Sequence, residues 1–264
     1  MLVRTWNLFH GNASPPERKA FLEEMIRLVV SDRPGLVCLQ ELPVWSLSHL
    51  DDWTEMTAVA DVARRPMLGP FPATPEVGRV ITDVHHGLFR SAFTGQANAV
   101  LVAPGLRVVQ HRYLVLNPWS FRRRFDIGTR LQLAWARERR ICQVLRLARE
   151  DVTLVVTNLH ATSHPDRRLA DAEVLRAATF VDGFAEPDEP IVLAGDFNLT
   201  VQDSRTLGEL TESEWGFEGP TSDGVDHILV RRLDATPPTR WPVQRRAIEG
   251  RVLSDHAPLE RGIA

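Results

Sequence analysis

The chain has 264 residues, of which 44% are hydrophobic and 25% are charged, and its formal net charge is −3 at pH 7. These values are typical of an ordinary soluble globular protein with a substantial core. The net charge excludes a whole-molecule attraction to nucleic acid or anionic membrane, but it leaves room for a local basic patch. No stretch reaches the ~20 apolar residues that cross a bilayer, and the N-terminus lacks a signal-peptide pattern. We therefore expect a cytoplasmic, monomeric protein without membrane association.

The hydrophobic pattern predicts alternating strands and helices within a single domain that spans residues 1–264. Short apolar runs predict strands at 2–6, 36–39, 97–102, 108–116, 141–148, 152–158, 191–194, 225–230 and 252–253. Apolar residues at helical spacing predict helices at 16–32 and 165–184, and a shorter helix within 205–218. The helix at 16–32 joins two strands, as in a crossover unit. Residues 43–96 contain prolines at positions 66, 70, 72 and 75, which predict a long irregular loop region.

Polar side chains stand at the points where many of these apolar runs end. They are Asn7, Glu41, Asn158, His160, Asp196, Asn198, Asp226, Asp255 and His256. Residues two apart on an extended chain face the same way, so Asp196 and Asn198 form one such pair, and Asn158 and His160 form another. Because strand ends that carry carboxylates, amides and imidazoles contribute little to packing, we expect these residues to share one site.

Each of these short motifs also has a local structural explanation. In Gly-Asp-x-Asn, from Gly195 to Asn198, the Asp and Asn side chains often bond their own backbone in a polar turn. The Ser-Asp-His motif that ends at His256 could cap a helix, and Glu41 could simply meet solvent where its strand ends. The functional interpretation therefore depends on the motifs occurring together.

Together, the motifs supply the groups that a metal-dependent hydrolase of phosphoesters needs. Glu41 and Asp255 offer carboxylate oxygens and Asn7 offers an amide oxygen, and such hard ligands suit Mg²⁺ or Mn²⁺. Asp226 could bond one ring nitrogen of His256 and leave the other for a proton or a phosphate oxygen. A phosphodiester needs its charge neutralised, its nucleophile positioned and its leaving oxygen stabilised.

The order and spacing of the motifs resemble the endonuclease/exonuclease/phosphatase superfamily over about residues 2–260. The matching motifs are Thr-Trp-Asn ending at Asn7, Leu-Gln-Glu ending at Glu41, Ala-Asn-Ala around Asn98, Asn-Leu-His ending at His160, Gly-Asp-Phe-Asn from Gly195 to Asn198, Val-Asp-His around Asp226 and Ser-Asp-His ending at His256. The resemblance implies an α/β (α+β) fold of the DNase I-like type, in which two mixed β-sheets flanked by helices form a four-layer sandwich. It also implies hydrolysis of a phosphoester by metal-activated water.

The same resemblance implies a divalent metal cofactor, Mg²⁺ or Mn²⁺. Glu41 would be the main metal ligand, and Asn7 and Asp255 would assist it. Whether one or two ions bind stays open at this point.

Catalytic roles are also implied by the resemblance. Asp196 would orient or deprotonate the attacking water, while Asn198 and His160 would contact the phosphate. His256, oriented by Asp226, would bind the phosphate or act in proton transfer. Since relatives divide the acid and base roles differently, the choice of general base between Asp196 and His256 stays open.

The substrate class depends on a different part of the chain, the run from Trp119 to Phe125. This run mixes aromatic residues with Arg122, Arg123 and Arg124, and such a mixture can grip a phosphate backbone and stack a base. The alternative is a solvated arginine cluster with anchoring aromatic residues. We predict a phosphodiesterase of the nuclease type, with a small-molecule or lipid phosphoesterase as the alternative. The intact set of candidate ligands argues against a binding module that has lost catalysis.

We expect four further polar residues to have structural roles and not catalytic ones. His85 and His86 lie in the irregular region, where we expect a solvated loop. His227 follows Asp226 on a predicted strand and should face the opposite side, so we expect it to pack and not to bind a ligand. We expect Asn98 to stabilise a local turn.

Overall fold

A computed structural model of the chain describes residues 1–150 and 152–264, and of Ser91 it describes the backbone alone. These residues form two compact units. The first unit comprises Met1–Arg107 and Thr236–Ala264, and the second comprises Val108–Ala235. Each unit contains a mixed β-sheet with helices, so the predicted mixed α/β class is confirmed. The single domain over residues 1–264 stays a prediction.

The secondary structure of the described residues is as follows. The strands are β1 (Leu2–Asn7), β2 (Ala13–Ser14), β3 (Leu36–Leu42), β4 (Thr57–Arg64), β5 (Met67–Leu68), β6 (Phe71–Pro72), β7 (Gln96–Val102), β8 (Arg107–Val115), β9 (Ile141–Arg149), β10 (Val152–His160), β11 (Ile191–Asp196), β12 (Asp226–Arg231), β13 (Thr239–Arg240), β14 (Ala247–Ile248), β15 (Arg251–Leu253) and β16 (Leu259–Gly262). The α-helices are α1 (Leu22–Val30), α2 (Leu50–Thr54), α3 (Pro75–Val84), α4 (His86–Thr94), α5 (Trp119–Arg122), α6 (Thr129–Ala136), α7 (Arg168–Asp182) and α8 (Arg205–Leu210). Short 3-10 helices occupy Phe9–Gly11, Val44–His49 and Val243–Arg246.

The main sheet of the first unit has the strand order β13-β16-β1-β3-β7-β4. β1 and β3 run parallel and end with Asn7 opposite Gln40, while β16 pairs antiparallel with β1 and β7 pairs antiparallel with β3. α1 joins the parallel pair, so the predicted crossover unit is confirmed. α1 spans Leu22–Val30 and is therefore shorter than the predicted helix at 16–32. Before it, residues 13–14 form β2, which pairs with β15.

One face of α1 and one face of this sheet make the core of the first unit. The buried helix residues are Leu22, Met25, Ile26 and Val29, and they pack with Trp6, Val37, Leu39, Ala99 and Leu101 of the strands. These strand residues alternate along β1, β3 and β7, because successive side chains point to opposite faces of a sheet. Full burial of an apolar side chain of this size contributes about 1.5–3 kcal/mol.

The sheet of the second unit has the strand order β12-β11-β10-β9-β8. β10 and β11 run parallel, whereas β9 pairs antiparallel with β10 and β12 pairs antiparallel with β11. α7 supplies the helical part of this core, and its buried residues are Leu169, Ala170, Glu173, Val174, Ala177, Ala178 and Val181. Glu173 is the one charged member of that set, and its partners bear on the candidate site.

The predicted irregular region at 43–96 is wrong. Within it, β4 pairs with β7 over Thr57–Arg64, and α2, α3 and α4 account for much of the remainder. Proline usually indicates a loop, but Pro75 is the first residue of α3. At that position the backbone N–H has no partner within the helix, so its absence costs no hydrogen bond. Thr74 caps the same helix by accepting a hydrogen bond from the Val77 N–H.

The expected solvated loop at His85 and His86 is also wrong. His86 is buried at the start of α4, and its Nε2 lies 2.7 Å from the carbonyl oxygen of His10. His85 accepts a hydrogen bond from the Leu88 N–H and so caps α4. Both histidines therefore have structural partners.

Helices long and apolar enough to span a bilayer do not occur in the part of the chain that the structure describes.

Candidate active site

Three neighbouring strands of the second unit carry His160, Asp196 and Asp226 at aligned positions. The parallel register of β10 and β11 places His160 beside Asp196, and the antiparallel register of β11 and β12 places Asp196 beside Asp226. All three side chains are at least 97% buried. Carboxylate oxygens of Asp196 and Asp226 lie within 4.8 Å of one another. The sequence motifs at these strand ends therefore come together in one polar cluster.

Gly195 and Asn198 give the turn after β11 its shape. Gly195 has a φ of +144°, and a Cβ atom there would lie 2.0 Å from the carbonyl oxygen of Leu159, so only glycine lets β11 approach β10 this closely. The carboxylate of Asp196 accepts a hydrogen bond from the Asn198 N–H at 3.0 Å. The Asn198 amide in turn donates to the Ala161 carbonyl at 3.0 Å. The local-turn explanation of Gly-Asp-x-Asn therefore holds, and the same bonds fix both side chains beside His160.

The imidazole of His160 lies between a carboxylate and a guanidinium. Its Nε2 is 3.5 Å from the Asp196 Oδ2. Nη1 of Arg140 is 3.0 Å from the His160 Nδ1 and 2.8 Å from its Nε2. Because a guanidinium only donates, one ring nitrogen must be unprotonated to accept from it. The same Nη1 is within hydrogen-bond distance of both ring nitrogens, so Arg140 and Asp196 together hold the imidazole in place.

Arg140 is a site residue that the motif analysis missed. It directly precedes β9 and is 4% exposed, and its Nη2 forms an ion pair with Glu138. Asn117 fixes the backbone of this segment, because its Oδ1 accepts from the Arg140 N–H and its Nδ2 donates to the Trp135 and Glu138 carbonyls. The signal in the sequence was weak. Three arginines occur at 137–140, and nothing in their spacing separates the buried one from two exposed ones.

Glu173 is a second missed residue, and it ties α7 to the segment that follows His160. Its carboxylate accepts hydrogen bonds from the Thr162 N–H at 2.6 Å, the Thr162 hydroxyl at 2.7 Å and the Trp135 indole N–H at 2.6 Å. Burial raises the pKa of Glu173 to about 7, and these donors together with the charge of Arg140 oppose that rise. A buried carboxylate with three donors fixes the backbone immediately after His160.

In the first unit, Asn7 and Glu41 lie at the ends of the parallel strands β1 and β3. Glu41 has a φ of +56°, and the pairing of β3 with β7 shifts register between Leu39 and Leu42. A bulge of this kind re-aims a side chain, and here it marks the predicted metal ligand. The Glu41 carboxylate lies 3.3 Å from Nε2 of His10. Asn7 Oδ1 accepts from the Phe9 N–H at 3.0 Å.

The Ser254–His256 turn is held against the end of β1. The Ser254 hydroxyl donates to the Asn7 carbonyl at 2.7 Å and accepts from the His256 N–H at 3.0 Å. The Trp6 indole N–H donates to the His256 carbonyl at 3.0 Å, and Arg246 donates to the carbonyls of the turn. The first unit therefore brings Asn7, Asp255 and His256 to one end of β1, and Asp255 is exposed there.

The donor set of the first unit fits a hard divalent cation. Glu41 and Asp255 are carboxylates and Asn7 is an amide, and oxygen ligands of this kind suit Mg²⁺ or Mn²⁺. Asn98, on β7, is buried, and neither polar atom of its side chain has a hydrogen-bond partner among the described residues. Such an amide on the strand that pairs with β3 can serve water molecules around an ion. Asn98 lies within a strand ladder, so its expected role in a local turn is wrong.

His227 packs as predicted. It is fully buried, its Nδ1 accepts from the Thr221 N–H at 3.0 Å, and its Nε2 lies 2.8 Å from the Leu199 carbonyl. The ring also makes an edge contact with Phe197. This histidine therefore supports the loop after Asn198 through internal contacts.

The run from Trp119 to Phe125 contains both anchored and exposed residues. Phe121 and Phe125 make edge contacts with the buried Trp135, with ring centroids 5.9 and 5.3 Å from it. The Arg122 guanidinium donates to two carbonyls nearby, at 2.8 and 3.0 Å. Trp119 is 64% exposed. Phe121 and Phe125 also line a groove of about 820 Å³, and this groove includes none of the strand-end site residues.

The comparisons with known proteins agree with these motifs. A profile of the family described as Endonuclease/Exonuclease/phosphatase family matches residues 5–256. Among curated protein sequences, none matches the chain significantly.

Several solved structures share the fold. An endonuclease/exonuclease/phosphatase from Bacteroides vulgatus is 14% identical, with a TM-score of 0.69 over 100% of this chain and 98% of that chain. A mannosyl-6-phosphatase from Bacteroides thetaiotaomicron is 14% identical, with a TM-score of 0.64 over 100% and 99%. TDP2 from Caenorhabditis elegans is 15% identical, with a TM-score of 0.61 over 100% and 74%. At these identities, the likeness establishes a common fold.

Proposed function

The chain belongs to the endonuclease/exonuclease/phosphatase family, and from that premise we propose that it is a divalent-metal-dependent phosphodiesterase. The observation that carries the proposal is the register of β10, β11 and β12, in which His160, Asp196 and Asp226 end side by side. Burying an imidazole and two carboxylates together costs desolvation free energy, and clusters of this kind are typical of catalytic sites. Phosphoester hydrolysis is the chemistry that nucleases and phosphatases have in common.

Asn7, Glu41 and Asp255 would hold Mg²⁺ or Mn²⁺. Bound there, a divalent ion supplies positive charge to the phosphate and makes a water molecule more acidic. The bulge at Glu41 supports this assignment, because it turns a carboxylate out of the strand alternation at the end of β3.

Individual side chains supply the proton transfers and the phosphate contacts. Asp196 accepts a proton from the attacking water, whose oxygen bonds to phosphorus as the bond to the leaving oxygen breaks. His160 and Asn198 contact non-bridging phosphate oxygens. His256, acting as one functional unit with Asp226, delivers the proton that the leaving oxygen requires.

Nucleic acid is the substrate that we favour. Arg123 and Arg124 are exposed, and neither has an ion pair among the residues that the structure describes. Trp119 exposes most of its indole in the same segment. Exposed cations beside an exposed aromatic ring suit a phosphate backbone and a stacked base. Arg122, in contrast, donates hydrogen bonds to the carbonyls of Asn117 and Gln132.

A small-molecule or lipid phosphoester is the alternative substrate. The fold is shared with a protein named as a mannosyl-6-phosphatase, and the net charge of −3 does not favour a polyanion. The segment that supports nucleic acid carries only a few exposed cations.

A substrate panel tests the proposal. Bis(4-nitrophenyl) phosphate, single- and double-stranded DNA, RNA, sphingomyelin and sugar phosphates would be assayed with Mg²⁺, with Mn²⁺ and with a chelator. We expect metal-dependent hydrolysis of the generic diester and of at least one nucleic acid. Turnover of sugar phosphates alone would replace the phosphodiesterase by a phosphomonoesterase, and no turnover of any member would refute the proposal.

A further inference from the structure

Arg140 is as deeply buried as the residues of the second-unit cluster. It is 4% exposed, compared with 2% for His160 and 7% for Asn198. Its Nη1 contacts the His160 ring, and its ion-pair partner, Glu138, has a side chain that is 46% exposed. A fully charged guanidinium therefore lies against the imidazole that is the candidate phosphate contact, and its carboxylate partner is half in solvent.

The hydrogen bonds of Arg140 are incomplete. A guanidinium carries five N–H donors. Nη1 faces His160 and Nη2 faces Glu138, but the buried Nε has no acceptor among the described residues. Leaving a buried charged donor without an acceptor is costly. This arrangement points to an acceptor that arrives with a ligand.

The backbone that carries this guanidinium is also held in a fixed position. The Arg140 N–H donates to Asn117 Oδ1 at 3.0 Å, and its carbonyl accepts from the Leu116 N–H at 2.8 Å. Glu173 fixes the neighbouring Trp135 and Thr162 by the three hydrogen bonds described above. A charge fixed before the ligand arrives loses little conformational entropy on binding, which strengthens an anion site.

We propose that Arg140 binds an anionic oxygen of the substrate phosphoryl group, next to His160 and Asn198. The inference rests on the proposed function, since it assigns a further substrate contact to the same site. The planar guanidinium fork matches the geometry of phosphate oxygens. Arg140 thereby adds a cation to a cluster whose other members are carboxylates, an amide and an imidazole.

Orthophosphate binding is the direct test, measured by calorimetry in the presence of Mg²⁺ and as competitive inhibition of bis(4-nitrophenyl) phosphate hydrolysis. Arg140→Gln should weaken phosphate binding roughly 10- to 100-fold, the scale of a lost hydrogen bond to a charged group. Arg140→Lys keeps the charge but loses the fork, so its affinity should fall between those of wild type and Arg140→Gln. Arg139→Gln is the matched control, because Arg139 is adjacent and exposed, and it should bind phosphate as the wild type does.

A purely structural role would lower the melting temperature and leave the phosphate affinity unchanged. Equal affinity in wild type and folded Arg140→Gln would therefore overturn the inference. If Arg140→Gln does not fold, Arg140→Lys decides, and unchanged phosphate binding in that variant would overturn it too. Metal-dependent diester hydrolysis by the wild type separates the two proposals. If hydrolysis persists while phosphate affinity is insensitive to Arg140, only the inference fails, whereas a wild type without hydrolysis refutes the proposed function as well.

Discussion

Arg140 lies against His160, with Nη1 2.8 Å from one ring nitrogen and 3.0 Å from the other. The guanidinium cannot accept a hydrogen bond, so a ring nitrogen of His160 is the acceptor in this contact. On its other side, Nε2 is 3.5 Å from the Asp196 carboxylate. This chain of contacts fixes the imidazole beside the carboxylate that we propose as the base.

Asp196→Asn tests that base. The variant keeps the shape of the side chain and removes its charge, so kcat for a generic phosphodiester should fall by at least ~10², the scale of a lost acid–base group. Steady-state kinetics with Mg²⁺ measures the change. Asp188→Asn is the matched control, because the Asp188 side chain is fully exposed, and it should keep wild-type kcat. A kcat for Asp196→Asn within a few-fold of wild type would exclude Asp196 as the base.

Asp226 and His256 should behave as one catalytic unit. His256→Ala should lower kcat by at least ~10², and, under the proposed pairing, Asp226→Asn should lower it by removing the group that orients the imidazole. When two residues act together, the double variant loses little more than the worse single variant. The measurement is a double-mutant cycle in kcat. Losses that multiply in Asp226→Asn/His256→Ala would show that the two residues act separately.

The sequence predicted the strand-end residues because their signal is local. Apolar runs define the strands, and the polar residues at their ends fall on neighbouring strands, as with His160, Asp196 and Asp226. Arg140 and Glu173 could not be found in this way. Their roles come from contacts with residues distant in the chain, and the local pattern around each is that of an arginine-rich loop or an amphipathic helix.

The region 43–96 escaped prediction for a different reason. Its helices are short and amphipathic, and its prolines are typical of loops, although Pro75 begins α3. β4 forms because β7 offers it a pairing edge, and an alternation as weak as that of Thr57–Arg64 does not reveal such a partner. The structure of this region is therefore decided by tertiary pairing more than by local propensity.

Glu173 should make stability depend on pH. Its folded-state pKa is raised from 4.5 to about 7, so between these values the folded state binds more protons than the unfolded state. Glu173 therefore makes its full contribution to the free energy of unfolding below about pH 4.5. This contribution is lost as the pH rises through 7, by on the order of 3 kcal/mol at most. Glu173→Gln should remove this component. Urea unfolding of both proteins from pH 4.5 to 8 measures it, with Glu214→Gln as an exposed control. Parallel stability curves for wild type and Glu173→Gln would contradict the assignment.

The arginines of the 119–125 run should decide between nucleic acid and small substrates. Since Arg122 has structural bonds, the informative variant is Arg123→Ala/Arg124→Ala. If both contact phosphates, the slope of log K against log salt should flatten by roughly 1.4–1.8, at ~0.7–0.9 per lost contact. Binding to single- and double-stranded DNA would be measured in an Asp196→Asn background.

The matched control for this pair is Arg64→Ala/Arg65→Ala, which removes two exposed arginines from another segment and should leave the slope unchanged. A slope for Arg123→Ala/Arg124→Ala equal to that of wild type would remove the support for a nuclease. Hydrolysis of the generic diester should be nearly the same in both pairs, since neither pair includes a proposed site residue.

The most direct test of the central claim is a Mn²⁺ titration of wild type, Glu41→Gln and the control Glu214→Gln, in which metal binding by calorimetry and hydrolysis of bis(4-nitrophenyl) phosphate are followed together. We predict that chelated wild type is inactive, that Mn²⁺ restores hydrolysis in parallel with binding, and that Glu214→Gln behaves identically. Glu41→Gln should remain folded but bind Mn²⁺ at least ~10-fold more weakly, because one carboxylate charge is lost. Full activity in exhaustively chelated wild type, or unchanged Mn²⁺ affinity in Glu41→Gln, would contradict the assignment of a divalent metal to Glu41.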